Sequence, residues 1–279
     1  MKNLLLISFS LFFFVNISVY GDDRPHTPNE IDDENYTYCD DREGSKAGKY
    51  GHTVVLIDLT SELNPPQIKF IKDQVFSEEF YLGKTPFTKF SYLLINNKSV
   101  QMNEYIFSKC RPKTGGSSKL EKANWDENKI FVESYYEEFI DLTQVAHKNI
   151  FKNKISSDTT LIIETISSLW KNPVRLFGEN VGKRNLIIVS DMLQNSERLN
   201  FYRVCNATTT EAKCPSFKSF MQNLSDKDHL NATAPKGDGV GLKIIYLNNR
   251  NETKKELDRT LIKLWENYFK DRGFENIKT

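Results

Sequence analysis

Val54-Val55-Leu56-Ile57-Asp58-Leu59-Thr60-Ser61-Glu62 is the stretch whose reading decides the fold. From Thr53 to Ile57 the side chains are β-branched or aliphatic without a break, and Asp58 ends the run. A short, wholly apolar run bounded by polar residues suits a strand buried on both faces. Leu186-Ile187-Ile188-Val189-Ser190-Asp191 repeats the pattern further along the chain. Ligands of open α/β sheets bind beyond the carboxyl ends of the strands, where the strand order reverses. If the two strands are neighbours, Asp58 and Asp191 face one crevice.

Between and around these strands the punctuation is helical. Asn64 is an N-cap candidate, Pro65 suits the first helical position, and Ile68, Ile71, Val75 and Phe76 recur at helical spacing up to Gly83. Phe87–Ile95 and Val100–Phe107 read as a hairpin across the turn Asn96-Asn97-Lys98. Cys110–Asn124 is a Gly-, Ser- and Lys-rich loop. Glu127–Ile150 is a long helix with Phe131, Tyr135, Phe139, Leu142 and Ala146 on one stripe. A shorter helix runs from Thr160 to about Lys171, before Asn172 and Pro173. Leu242–Leu247 is the last strand. Asn251 caps a final helix that places Leu257, Leu261, Leu264, Trp265 and Tyr268 on one face and ends at Gly273. This alternation predicts an α/β fold in three layers. Its sheet is doubly wound and mostly parallel, with one antiparallel edge hairpin strand and helices on both faces. No repeat and no second core interrupts residues 50–279, which read as one domain.

The ends and the cysteines point to export. Lys2, the apolar run Leu4–Val15, and Val19 and Gly21 at the −3 and −1 positions before Asp22 have the layout of a cleaved signal peptide over residues 1–21. The run is short and interrupted by Ser8, Ser10 and Asn16, whereas spanning a bilayer takes roughly 17 or more apolar residues. Residues 22–49 are acidic, polar and nearly free of aliphatics, the composition of an extended, mobile lead-in. Four cysteines allow three pairings. Cys205 and Cys214 bracket a short polar loop and form the favoured local bridge, which leaves Cys39 with Cys110. A four-thiol zinc site has no Cys-x-x-Cys pair to support it. Beyond residue 21, six Asn-x-Ser/Thr triplets, at Asn35, Asn97, Asn206, Asn223, Asn231 and Asn251, matter only in a eukaryotic host. The hydrophobic share of 39%, the charged share of 27% and the net charge of +1 are those of a soluble globular protein. They argue against nucleic-acid binding by bulk electrostatics. After Gly21 no second membrane segment follows, so stable membrane insertion after cleavage is not expected.

The run Asp58-Leu59-Thr60-Ser61-Glu62 resembles a variant of the Asp-x-Ser-x-Ser motif of von Willebrand factor A (VWA) domains. In that family the motif, a later Thr and a later Asp form a metal-ion-dependent adhesion site. Thr160, before Leu161-Ile162-Ile163-Glu164-Thr165-Ile166, stands where the family's Thr precedes its helix, and Asp191 stands where its second Asp ends the fourth strand. The likeness covers roughly His52 to Gly273. It is nearest to exported bacterial proteins of this fold that share the phrases around Asp58 and Ser190-Asp191-Met192-Leu193-Gln194-Asn195. It implies a Mg²⁺-type site made of Asp58, Thr60, Glu62, Thr160 and Asp191, and a protein or envelope-polymer partner in the periplasm or outside the cell. Glu62 departs from the motif, which has a hydroxyl there. It either binds the cation itself or points outward and leaves the site incomplete.

Other readings compete. Asp58 and Asp191 can simply accept hydrogen bonds from loop amides, Thr60 or Ser61 can serve a turn, and Thr160 can be an N-cap. A divalent-metal phosphohydrolase using Asp58 and Asp191 is the enzymatic alternative, and a structural subunit with a vestigial crevice is the third. The phosphohydrolases with an Asp at a strand end need a second acid two residues on, where this chain has Thr60. No Gly-x-Ser-x-Gly elbow, Walker loop or His-Glu-x-x-His occurs. Gly237-Asp238-Gly239-Val240-Gly241 precedes a strand, whereas dinucleotide loops follow one. His26, His52, His147 and His229 show no catalytic or metal-binding spacing.

Overall fold

A computed structural model describes residues 50–95, 105–125, 127–152, 157–171, 177, 181–197, 199–205, 214, 237, 239–247 and 255–279. The expected signal peptide, the lead-in and Cys39 lie outside these residues. So do residues 100–104 of the expected third strand and Asn251, the expected cap of the last helix.

Among the described residues the sheet has six strands: β1 Tyr50–Asp58, β2 Lys89–Ile95, β3 Phe107–Cys110, β4 Val181–Ser190, β5 Val240–Tyr246 and β6 Glu275–Lys278. Their order is β3-β2-β1-β4-β5-β6. Every pairing is parallel except β2 with β3, which is antiparallel. The helices are α1 Pro65–Val75, α2 Glu78–Leu82, α3 Lys129–Lys152, α4 Ile162–Lys171, α5 Phe201–Val204 and α6 Lys255–Asp271. This is the α/β, three-layer, doubly wound sheet that the strand pattern predicts. The order reverses between β1 and β4, the two strands whose apolar runs read as doubly buried.

Alternation along those strands divides the core in two. Val54 and Leu56 of β1, with Leu186 and Ile188 of β4, face α4 and α6. Val55 and Ile57, with Ile187 and Val189, face α1, α2 and α3. All eight are at most 3% exposed, so β1 and β4 are covered on both sides. At about 1.5–3 kcal/mol per buried aliphatic side chain, these paired strands anchor the fold.

Four details depart from the sequence reading. The single helix expected between Pro65 and Gly83 breaks at Phe76. Ser77 caps a new helix by accepting from the Phe80 amide, and Gln144 Nε2 donates to the Phe76 carbonyl. Strand β3 starts where the expected strand ends. Phe107 is the residue that packs on Tyr92 and Phe139, so the pairing continues into the polar Ser108 and Lys109. The buried stripe of α3 is Val132, Tyr135, Tyr136, Phe139, Thr143, Ala146 and Ile150, which leaves Phe131 and Leu142 on the exposed flank. Finally, β6 carries mostly exposed polar residues and gives no apolar signal in the sequence.

Arg111 ties the loop after β3 to this frame. It is wholly buried, donates to the carbonyls of Tyr81, Lys84 and Pro112, and pairs with Glu121. Cys205 and Cys214 form a disulfide, and Cys205 is buried in the core on the α4–α6 side. Cys110 is also disulfide-bonded. No helix among the described residues is long and apolar enough to cross a membrane.

Candidate functional site

The parallel register of β1 and β4 pairs Ile57 with Val189, so the next residues, Asp58 and Ser190, end the two strands side by side. Asp58 is 5% exposed and Ser190 fully buried. The Ser190 hydroxyl donates to Asp58 Oδ2 at 2.6 Å. The chain then turns back, and both the amide and the hydroxyl of Thr60 donate to Asp58 Oδ1, at 3.0 and 2.6 Å. Thr160, a hundred residues later, places its Oγ1 2.7 Å from that of Thr60. Because the Thr60 proton is committed to Asp58, the Thr160 hydroxyl is the donor in that contact. Asp58, Thr60, Thr160 and Ser190 thus form one hydroxyl–carboxylate cluster at the switch point of the sheet.

The segment after β4 holds Thr160 in place. Ser190 Oγ accepts from the Met192 amide, and Asp191 Oδ1 accepts from the Leu193 amide, so two successive turns close behind the strand. Met192 takes a positive φ of 58°, and its carbonyl accepts from Trp265 Nε1 of α6 at 2.8 Å. Gln194, fully buried, accepts from the Ile163 amide in the first turn of α4 and donates to Glu164. Asn195 exchanges two backbone hydrogen bonds with Thr160, both 2.9 Å. The run Ser190–Asn195 is therefore a clamp that sets Thr160 against Thr60. Here sequence reading named the segment but missed the roles of Ser190 and Gln194. A hydroxyl at the end of a buried strand, followed by an Asx-type turn, was the available signal.

Of the five residues expected at the site, Asp58, Thr60 and Thr160 converge. Asp191 is half-buried and is engaged by its own turn, while Glu62 is exposed. The departure from the motif at Glu62 thus sits at the solvent side of the loop.

No protein-family model and no curated protein matches this chain.

Burial raises the Asp58 carboxyl above the usual carboxylate value, and the hydrogen bonds from Ser190 and Thr60 offset only part of that rise. Among the described residues no cationic side chain is paired with it. No group of three or more His, Cys, Asp or Glu able to hold a metal occurs among them either. Any cation site here is therefore built mainly from hydroxyls. The donor set suits a hard cation, because every polar side-chain atom in the cluster is oxygen. Neighbouring ligands of an octahedral Mg²⁺ at about 2.1 Å stand about 3.0 Å apart, and the Thr60 and Thr160 oxygens are 2.7 Å apart. Both threonines are buried, at 7% and 6% exposure. With modest separation of the two hydroxyls, their spacing is compatible with two neighbouring ligands of a Mg²⁺-type ion.

Proposed function

We propose that the chain is an exported VWA-like binding module that engages a protein or envelope polymer through a divalent cation held at the β1–β4 crevice. The observation that carries this reading is the Thr60–Thr160 hydroxyl pair standing over the buried Asp58. Two threonines so far apart in sequence meet at the carboxyl edge of the sheet, above a carboxylate with no cationic partner among the described residues. Thr60 and Thr160 would supply neutral ligands and Asp58 the negative charge, with Asp191 close by in sequence to Ser190. A bound Mg²⁺ would supply an electrophilic centre for a carboxylate of the partner. Low ligand charge favours that use, because hydroxyls leave most of the cation's charge uncompensated. The strand order, with its one antiparallel edge strand beside β2, supports the family likeness.

Binding of a cation to the folded state alone raises stability by mass action. Thermal melts in Mg²⁺ and in EDTA should differ for the native chain and coincide for Asp58→Ala. A native chain indifferent to Mg²⁺ across millimolar concentrations contradicts the proposal and leaves the crevice a self-satisfied structural turn. Capture of a partner from the native envelope should be lost in EDTA and in Thr160→Val.

A further inference from the structure

At the opposite, amino-terminal edge of the sheet lies a cavity of about 680 Å³ that the crevice reading does not use. Alternation explains why it exists. On the face that carries Ile187, Val189 and Ile245 under α1–α3, the same strands begin with Lys183 and Asn185 on β4 and Gly241 and Lys243 on β5. The apolar face thus gives way to lysine, amide and bare backbone toward the strand starts. Gly239, with φ +73° and nothing near an added Cβ, and Gly241 keep the floor open.

Four lysines line this cavity: Lys84 after α2, Lys183 on β4, Lys243 on β5 and Lys278 on β6. Arg184 also borders it, but alternation turns its side chain to the opposite face with Leu186 and Val240. Only Glu79 and Glu275 oppose the lysines among the lining residues. Among the described residues none of the four lysines is ion-paired. Lys243 donates to Gln74 Oε1, and Lys84 sits 5.9 Å from the Phe80 ring centroid. Lys183, Lys243 and Lys278 each act on Lys84, whose ammonium is pushed below the usual lysine value by burial first and then by their charge. Lys243 is lowered by burial and by Lys278. These ammoniums crowd one space at a cost that a bound anion would remove. The chain as a whole carries only +1, so the concentration is local.

We infer that this cavity is a binding site for a compact polyanion of the polyphosphate or organic-phosphate class. The volume lies within the roughly 300–1,000 Å³ of small-molecule pockets. Surplus cations in so small a space call for a ligand with several charges on neighbouring groups. Each ammonium offers three donors and each phosphate several acceptor oxygens. A soluble phosphate compound and the phosphate headgroup of a lipid share this chemistry.

The test is isothermal titration of the oxidised chain with inorganic tripolyphosphate in EDTA, which silences any cation at the crevice. Sedimentation with phosphatidylglycerol vesicles runs beside it. Lys183→Glu and Lys278→Glu, both at exposed positions, should each weaken binding by about tenfold or more, about 1.4 kcal/mol. Lys129→Glu, an equal charge change on α3, should leave it within about twofold, on the scale of a remote, screened charge. Tripolyphosphate binding without vesicle capture assigns a soluble ligand. Vesicle capture that tripolyphosphate displaces and Lys183→Glu removes assigns a headgroup. Absence of both, or equal losses in Lys183→Glu and Lys129→Glu, overturns the inference.

Discussion

Asp58 is a carboxylate in a place that favours its neutral form, and that has a consequence for pH. Burial raises its folded-state value, so between the unfolded and folded values the native chain holds more protons than the unfolded one. Stability from this group is therefore present at acid pH and is lost as pH rises through the raised value. In EDTA, Asp58→Asn should melt higher than the native chain at neutral pH, with the gain shrinking toward pH 4. Melting curves across pH check this, and a neutral-pH loss would show that the hydroxyl donors outweigh desolvation. Gln194 gives a second prediction. Gln194→Ala leaves the Ile163 amide without its partner, which should cost about 1–3 kcal/mol in urea unfolding. Because the same side chain braces the segment holding Thr160, any Mg²⁺ stabilisation should fall with it.

The elements that sequence reading placed well are those whose pattern was set by burial on two faces. Val54–Ile57 and Leu186–Val189 have no alternation to misread, and α6 keeps Leu261, Leu264, Trp265 and Tyr268 buried as their spacing requires. What was missed follows from contacts that local pattern does not encode. The break at Phe76 depends on Gln144 from α3, and β6 forms from a polar run because β5 offers it an edge. At the site, Asp58 is legible as the acid that ends an apolar strand, and Thr60 only through the motif resemblance. Thr160 was legible only through family resemblance, since its position depends on backbone pairing with Asn195. The pattern of its strand gives Ser190 no role, because registering it against Asp58 requires knowing that β1 and β4 are adjacent. The Arg111 anchor was likewise invisible. Arg111→Ala should destabilise by about 3 kcal/mol, since it strips Glu121 of its cationic partner and leaves the carbonyls of Tyr81 and Lys84 without their donor, as denaturant titration would show.

Taken together, the molecule presents two unlike edges of one sheet. The carboxyl edge carries a buried acid among hydroxyls, and the amino edge carries clustered lysines around a cavity. The covalent frame should matter to the first of these, because Cys205 follows directly on the segment that leaves the clamp. Peptide mapping under non-reducing conditions should recover Cys205 linked to Cys214, and reduction should cost on the order of 2–3 kcal/mol for a loop of this length. Recovery of both as free thiols from an oxidising compartment would contradict the pairing. Whether the carboxyl edge holds a cation is answered by anomalous diffraction from crystals soaked in Mn²⁺, which takes Mg²⁺ sites with similar oxygen ligands. The expected result is a peak about 2.1–2.2 Å from both Thr60 Oγ1 and Thr160 Oγ1. Density that shows the two hydroxyls still bonded to each other, with no anomalous peak between β1 and β4, would contradict the cation-mediated account.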